Sequence, residues 1–412
     1  MKPSLNRQIL LGAGVGIVLG LSLHHFGVET QSSRLALYLC DILGSIFVNL
    51  LKMILIPLVF ASISVGIANL RVHAQMGKVW KLTLVYFLTT TALAVLLGLT
   101  LVNIFKPGQG LKLSMFQDTM ASFSTKSLTL PEFIKTFVTN LFVNPISAMA
   151  SGDVLATVIF AMFLGIALVV SGEKAKGLIH LLNEFFDLIM LMVGWIMRIA
   201  PFGIMGLLAK LIATQNVSLL ATLAKFIAVV MGGTLFHGVI VLPGILYIFT
   251  RRNLAQFFNG ARDAFVTAFS TSSSSATLPV TMRCVKENLK VDKDIAGFVL
   301  PLGATVNMDG TALYEATAAI FVANLAGIEL NLMQQIVVFF MAILASIGAP
   351  GIPSAGMVTM IMVLQSVGLP VEAIAILLPI DRPLDAVRTM VNVEGDMVGS
   401  VLVDHFVHKR KR

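Results

Sequence analysis

Apolar stretches dominate the chain, at about 6–27, 37–70, 77–105, 141–171, 178–208, 216–249, 294–325 and 370–403. Several exceed the roughly 20 residues a helix needs to cross a bilayer, which predicts tilted or kinked spans. None shows the alternating ten-residue segments of outer-membrane strands, so helices are expected, since they satisfy every backbone hydrogen bond within lipid. Two further apolar segments, about 255–283 and 334–366, are of another kind. Each is interrupted by residues that do not continue a helix, TSSSSATLP at 271–279 and GAPGIPSAG at 348–356.

Basic residues set the orientation. Lys2 and Arg7, Arg71, Lys78 and Lys81, Lys174 and Lys176, Arg251 and Arg252, Lys286, Lys290 and Lys293, and the terminal HKRKR all belong on the cytoplasmic side. One crossing by 255–283 would put Arg251 and Arg252 opposite the Lys286 to Lys293 group. They share a face only if the segment enters, turns at the serines and returns. The segment 334–366 must then return to the outer face, so that 370–403 delivers the tail to the cytoplasm. The prediction is an all-α integral membrane protein of eight transmembrane helices and two re-entrant helical hairpins, in a cell inner (cytoplasmic) membrane, both termini cytoplasmic. Region 108–140 becomes an external loop. From Ser274 at the first tip to Asp309 is 35 residues, and from Ile352 at the second tip to Arg388 is 36. A hairpin followed by a polar span, repeated from the opposite face, is the inverted repeat of secondary transporters, whose site lies near the midplane where the repeats meet.

Composition agrees: 57% of the 412 residues are hydrophobic and 12% charged, against about 25% charged in a soluble domain. The first apolar segment is followed by HHFGVET, without a small-residue cleavage site, and is expected to remain as a span. Cys40 and Cys284 supply neither a disulfide framework nor metal-ligand spacing. The net charge of +8 comes largely from loops and the basic tail, which suits inner-leaflet lipids rather than nucleic acid.

Charge inside the apolar pattern marks the chemistry. The last span contains DRPLDAVRTMVNVEGD at 381–396, although a charge at the bilayer centre costs roughly 2.5–3.5 kcal/mol or more. On a helix Asp381, Asp385, Arg388, Thr389, Asn392 and Asp396 share a sector of about 100°. The opposite face, with Leu384, Val387, Met390, Val391 and Val398, can meet lipid or protein. Glu394 lies off the stripe and is expected at a helix end or interface. The second polar element, PLGATVNMDGTALYEA at 301–316, sets poor helix formers in succession, and Asn307 and Asp309 supply hard oxygens of the kind alkali and alkaline-earth cations prefer. Unwound backbone at membrane depth is tolerated where it lines a cavity.

SSSSATLP, NMDGTALYEA, ASIGAPGIPSAG and DRPLDAVRTMVNVEGD resemble the signature segments of the glutamate transporter homologue family, the dicarboxylate/amino acid:cation symporters, in a bacterial-type member. The resemblance implies a homotrimer among membrane lipids and an elevator-type transporter. Its scaffold would be residues 1–76 (spans 1–2) and 108–215 (external loop, spans 4–5), and its transport domain residues 77–107 (span 3) and 216–412 (span 6, hairpin 1, span 7, hairpin 2, span 8). It implies import of acidic amino acids, L-glutamate or L-aspartate, with sodium and/or protons as coupling ions and no other cofactor. Arg388 would pair with the substrate side-chain carboxylate and Asp385 with its amino group, as a planar guanidinium and a short carboxylate suit. Ser274, Thr311, Ile352, Gly356, Thr389 and Asn392 would complete the pocket. Sodium would be held by Gly303, Asn307, Asn392 and Asp396, by Thr90, Thr91, Asn307 and Asp309, and near Ser346 and Ala349. Glu315 matches a proton-carrying glutamate of the animal members.

There are departures. Ser272 stands where archaeal members carry an arginine, and Ala386 where animal members carry one, with Arg382 one turn before it. Glu315 is expected either to carry a proton or to pair permanently with Arg382. Related dicarboxylate carriers lack the acidic residue at the Asp385 position, so having both charges argues for an acidic amino acid, with a proton-coupled C4-dicarboxylate symporter as the alternative. An intramembrane aspartyl protease, with Asp309 and Asp381 or Asp385, needs carboxylates sharing a proton, whereas Arg388 keeps Asp385 ionised. The chain is therefore expected not to be an enzyme. Paired gates likewise suit alternating access better than a channel.

Overall fold

Helix ends fall where the sequence offers caps and breakers. Asp153 accepts a hydrogen bond from Ala156 N at 3.1 Å, Asn253 caps with Ala255 N at 2.9 Å, and Asn331 and Gln334 form a capping box. The computed structural model describes residues 5–69, 77–110, 139, 142–214, 218–349, 351 and 353–408. Its regular elements there are all helical. They are α1 (Leu5–Phe26), α2 (Gln31–Asn69), α3 (Gly77–Phe105), α4 (Pro145–Ser151), α5 (Val154–Ser171), α6 (Lys176–Thr214), α7 (Ser218–Phe236) and α8 (Leu242–Thr250). There follow α9 (Leu254–Thr271), α10 (Ser274–Arg283), α11 (Lys293–Val306), α12 (Asp309–Ala326), α13 (Leu332–Gly348), α14 (Ala355–Ser366) and α15 (Ile374–His408). A π-helical turn, His237–Val241, joins α7 to α8.

Among the described residues four stretches are long and apolar enough to cross a bilayer: Gln31–Ala68, Gly77–Phe105, Ala156–Thr214 and Ala221–Thr250. Three of the expected spans are interrupted locally, and the first, 6–27, contributes the shorter apolar helix Leu11–Phe26. The stretch 294–325 is two helices, α11 and α12, separated at Asn307 and Met308. In α15 the charges of 381–396 interrupt an otherwise apolar helix. The expected span 141–171 is likewise broken, at Gly152 and Asp153, between α4 and α5. Most of the external loop 108–140 lies outside the described residues.

The interrupted segments double back. Ser272 closes α9 at φ +50°, and Ser273 caps α10 by accepting from Ala276 N at 3.1 Å. Far from that tip, Asn288 donates to the Gly260 carbonyl at 2.8 Å and Arg252 to the Leu289 carbonyl at 2.6 Å, so both ends of the segment lie together. In the second segment α13 packs against α14, with Ser354 at φ +59° before α14. The tips meet: Ser273 Oγ and Ser275 N donate to the Gly351 carbonyl at 2.6 and 3.1 Å.

Packing separates two groups of helices. The helices α1 and α2 pack on α6, and α2 on α5; in the other group α3 packs on α12, and α15 on α7, α8, α9, α11 and α12. Nearly all of α15 is buried, Leu384, Val387, Val391 and Val398 included, so the apolar face of that helix meets protein. Glu394 is no helix-end charge: it sits mid-helix, 3% exposed, because α15 runs on to His408.

Candidate functional site

The polar stripe of α15 survives folding as one buried face pointed at both tips and at the α11/α12 break. Arg388 Nη2 donates to Asp381 Oδ1 at 2.6 Å and to Asp385 Oδ1 at 3.0 Å. Its guanidinium carbon lies 3.9 Å from the Tyr314 ring centroid, a cation–π stack. Arg388 is 1% exposed, yet its Nε and Nη1 have no hydrogen-bond partner. Ser354 binds the same carboxylates: its N–H donates to Asp385 Oδ2 and its hydroxyl to Asp381 Oδ2, both at 2.8 Å.

One cavity is lined by Ser274, Thr311, Gly356, Asp385, Thr389 and Asn392, with Ser272, Met308, Gly351 and Ala355. Arg388 borders it: a Cβ on Gly356 would lie 3.7 Å from Nη1. Thus seven of the eight residues singled out as substrate ligands converge. The eighth, Ile352, lies outside the described residues. Asn392 ties the wall together, accepting from Gly310 N at 2.8 Å and donating to Thr311 Oγ1 at 3.3 Å.

Beside the cavity the predicted cation ligands form two adjoining clusters. Thr91 and Thr90 donate to Asp309 Oδ1 at 2.7 and 3.4 Å. Asn307 donates to Asp396 Oδ1 at 3.0 Å and to the Asn392 carbonyl at 3.4 Å, leaving its own Oδ1 without a partner. The backbone at Gly303 is so close to Asp396 that a Cβ there would meet Oδ1 at 2.3 Å. Hard oxygens predominate, and the orphaned Asn307 oxygen is what an alkali cation would coordinate. The third group is less open: the Ser346 carbonyl already accepts from Ala349 N at 3.2 Å, and Ala349 packs with Met308 and Ala355.

The structure corrects one pairing. Glu315 accepts from Thr359 Oγ1 and not from Arg382. Arg382 instead lines a cavity with Ile9, Phe47, Leu51, Met197 and Ile204, its guanidinium without a hydrogen-bond partner.

Several contacts were not foreseen. His237 Nε2 lies 3.0 Å from Asp309 Oδ2, both fully buried; a histidine inside the apolar run TLFHGV was the available sign. Ser354 lay within a segment already singled out. Tyr314 and Thr359 carried no sign of their own, because an aromatic and a threonine in apolar helices read as packing.

The model of the sodium:dicarboxylate symporter family matches residues 5–406. Excitatory amino acid transporter 3 of Mus musculus is 36% identical, over 98% of this chain and 86% of its own. Neutral amino acid transporter B(0) of Mus musculus is 35% identical, over 97% and 80%. Neutral amino acid transporter A of Homo sapiens is 36% identical, over 97% and 81%.

Proposed function

The chain belongs to the sodium:dicarboxylate symporter family, and from that premise we propose that it is a secondary active symporter importing L-glutamate or L-aspartate, coupled to sodium and/or protons. The observation that carries the substrate is the pairing at the cavity. A buried guanidinium with two unused nitrogens borders it, and the Asp385 carboxylate lines it. An acidic amino acid satisfies both charges. A neutral amino acid leaves Arg388 Nε and Nη1 without a partner, and a C4-dicarboxylate offers no ammonium to Asp385.

The other parts of the reading rest on the resemblance of the signature segments, and the grouping of helices by packing supports the domain division. Helices α1, α2, α4, α5 and α6 form the scaffold and α3 with α7–α15 the transport domain, which moves as an elevator past the scaffold. The α9/α10 and α13/α14 pairs are the re-entrant hairpins beside eight spans. The protein is a homotrimer in an inner membrane with both termini cytoplasmic. Sodium is held at Asp309 and at Asp396, and Glu315 carries a proton.

Proteoliposomes test the reading. Labelled aspartate or glutamate is expected to accumulate above its external concentration under an inward sodium or proton gradient. Accumulation of succinate without either amino acid would favour the dicarboxylate carrier, and mere equilibration a channel.

A further inference from the structure

Ser354 forgoes two things a serine at its position ordinarily has. Its backbone is left-handed, at φ +59°, a conformation that costs any residue with a Cβ and suits glycine. It also occupies the N-cap of α14, where a serine hydroxyl ordinarily accepts from the first free N–H groups of the helix; here the hydroxyl makes no such bond. It donates instead to Asp381 Oδ2, while the Ser354 N–H donates to Asp385 Oδ2, both at 2.8 Å. The other oxygen of each carboxylate accepts from Arg388 Nη2. All four residues are at most 7% exposed, so these charge-assisted bonds form away from water, where they are strongest.

The serine thus joins the α13/α14 hairpin to the counter-ions of the arginine. Gly351, Ala355 and Gly356 of that hairpin wall the cavity of the proposed site, which Asp385 also lines. Ser354 itself lines the neighbouring cavity, beside Phe47 and Leu51 of α2 and Met197 and Ile204 of α6. It stands between the proposed site and the surface that meets the other helix group. We propose that Ser354 is a positioning residue that fastens the α13/α14 hairpin shut over bound substrate through Asp381 and Asp385, so that hairpin and arginine share one pair of carboxylates. The strained backbone and the unused cap are explained together, since a glycine would relax the first and lose the bond to Asp381. The inference rests on the symport reading and names a residue on which retention of substrate in that same site depends.

The test times the release of radiolabelled aspartate or glutamate from purified full-length protein diluted into the unlabelled amino acid, beside the thermal unfolding midpoint. Both Ser354→Gly and Ser354→Ala remove the hydroxyl, but only glycine relaxes the left-handed backbone, so the glycine variant is expected to unfold at the higher temperature of the two. Both are nevertheless expected to release substrate about tenfold faster than the wild type, each having lost one hydrogen bond to a charged group. A glycine variant that folds but retains no measurable label is the same result carried further. Release at the wild-type rate by either variant overturns the inference. So does release that follows the unfolding midpoints, fast in alanine and slow in glycine, and so does a glycine variant that does not fold, because Ser354 then serves the fold and not the closing of the hairpin. A wild-type protein that binds neither amino acid overturns the symport reading itself, an outcome distinct from equal release rates.

Discussion

Arg388 is held by two aspartates and an aromatic ring while two of its nitrogens stay unused, and on the proposed reading those two nitrogens receive the substrate carboxylate. Arg388→Cys should abolish tight binding of acidic amino acids. Losing one partner of a buried charge pair costs about 2–5 kcal/mol, roughly a 30- to several-thousand-fold weaker affinity. Serine or another small neutral amino acid should bind in its place. Calorimetric titration with aspartate and serine checks this, and unchanged aspartate affinity would remove Arg388 from the site. Glu315 yields a second prediction, since its hydrogen bond to Thr359 leaves Oε2 unpartnered and Arg382 uninvolved. Glu315→Gln should abolish the pH dependence of net uptake and keep substrate exchange, because exchange needs no proton-free return step. Net uptake retaining wild-type pH dependence would show that Glu315 carries no proton. The stripe residues were legible in the sequence because charge in an apolar span is costly enough to announce itself. Tyr314 and Thr359 were not, because their roles come from what packs against them.

At the scale of elements, breaks in helices do more than the helices. The α11/α12 break at Asn307 and Met308, the αL residues Ser272 and Ser354, and the π turn at His237 each aim polar groups inward. Gly303 shows how closely this is set. Its Cβ-less backbone lets Asp396 approach Asn307, and a methyl there would meet Asp396 Oδ1 at 2.3 Å. Gly303→Ala should therefore raise the sodium concentration for half-maximal uptake by about tenfold or more, near 1.4 kcal/mol. Gly297→Ala, on the same helix with nothing within 4 Å of its Cβ, should leave it unchanged, and equal sodium curves for both would remove Asp396 from a cation site. Serine and Gly/Pro runs inside apolar segments made both interruptions legible. For the π turn the sign was Pro243, which has no N–H to give the Val239 carbonyl, but a proline in an apolar run does not by itself say which kind of irregular turn forms.

For the whole molecule, the division of packing is the consequential feature. The residues of the proposed site lie in the α3 and α7–α15 group, and the α1, α2, α5, α6 group meets it across a cavity as well as contacts. Arg382 and Leu378 on α15, with Met357 and Val358 on α14, face Phe47 and Leu51 of α2 and Met197 and Ile204 of α6 across that cavity. A guanidinium among mostly apolar residues, with Ser354 beside it but no hydrogen-bond partner, is costly in a static core. A surface that slides past its neighbour has to meet several surroundings in turn, and mostly apolar side chains suit that. Basic-residue counting could predict crossings, but not which helices pack together, since that is fixed by contacts between segments distant in sequence. The elevator proposal then makes a mechanical prediction. Leu51→Cys with Val358→Cys, in a chain with Cys40 and Cys284 replaced by alanine, places one thiol on each group at the same cavity. Bridging them with mercury should stop both net uptake and exchange, and thiol reductant should restore both. Substrate binding in detergent should persist, because neither residue lines the proposed site. If bridged protein, verified by mass, still exchanges aspartate at the unbridged rate, the two groups do not move past one another at this surface, and gating within a fixed frame replaces the elevator.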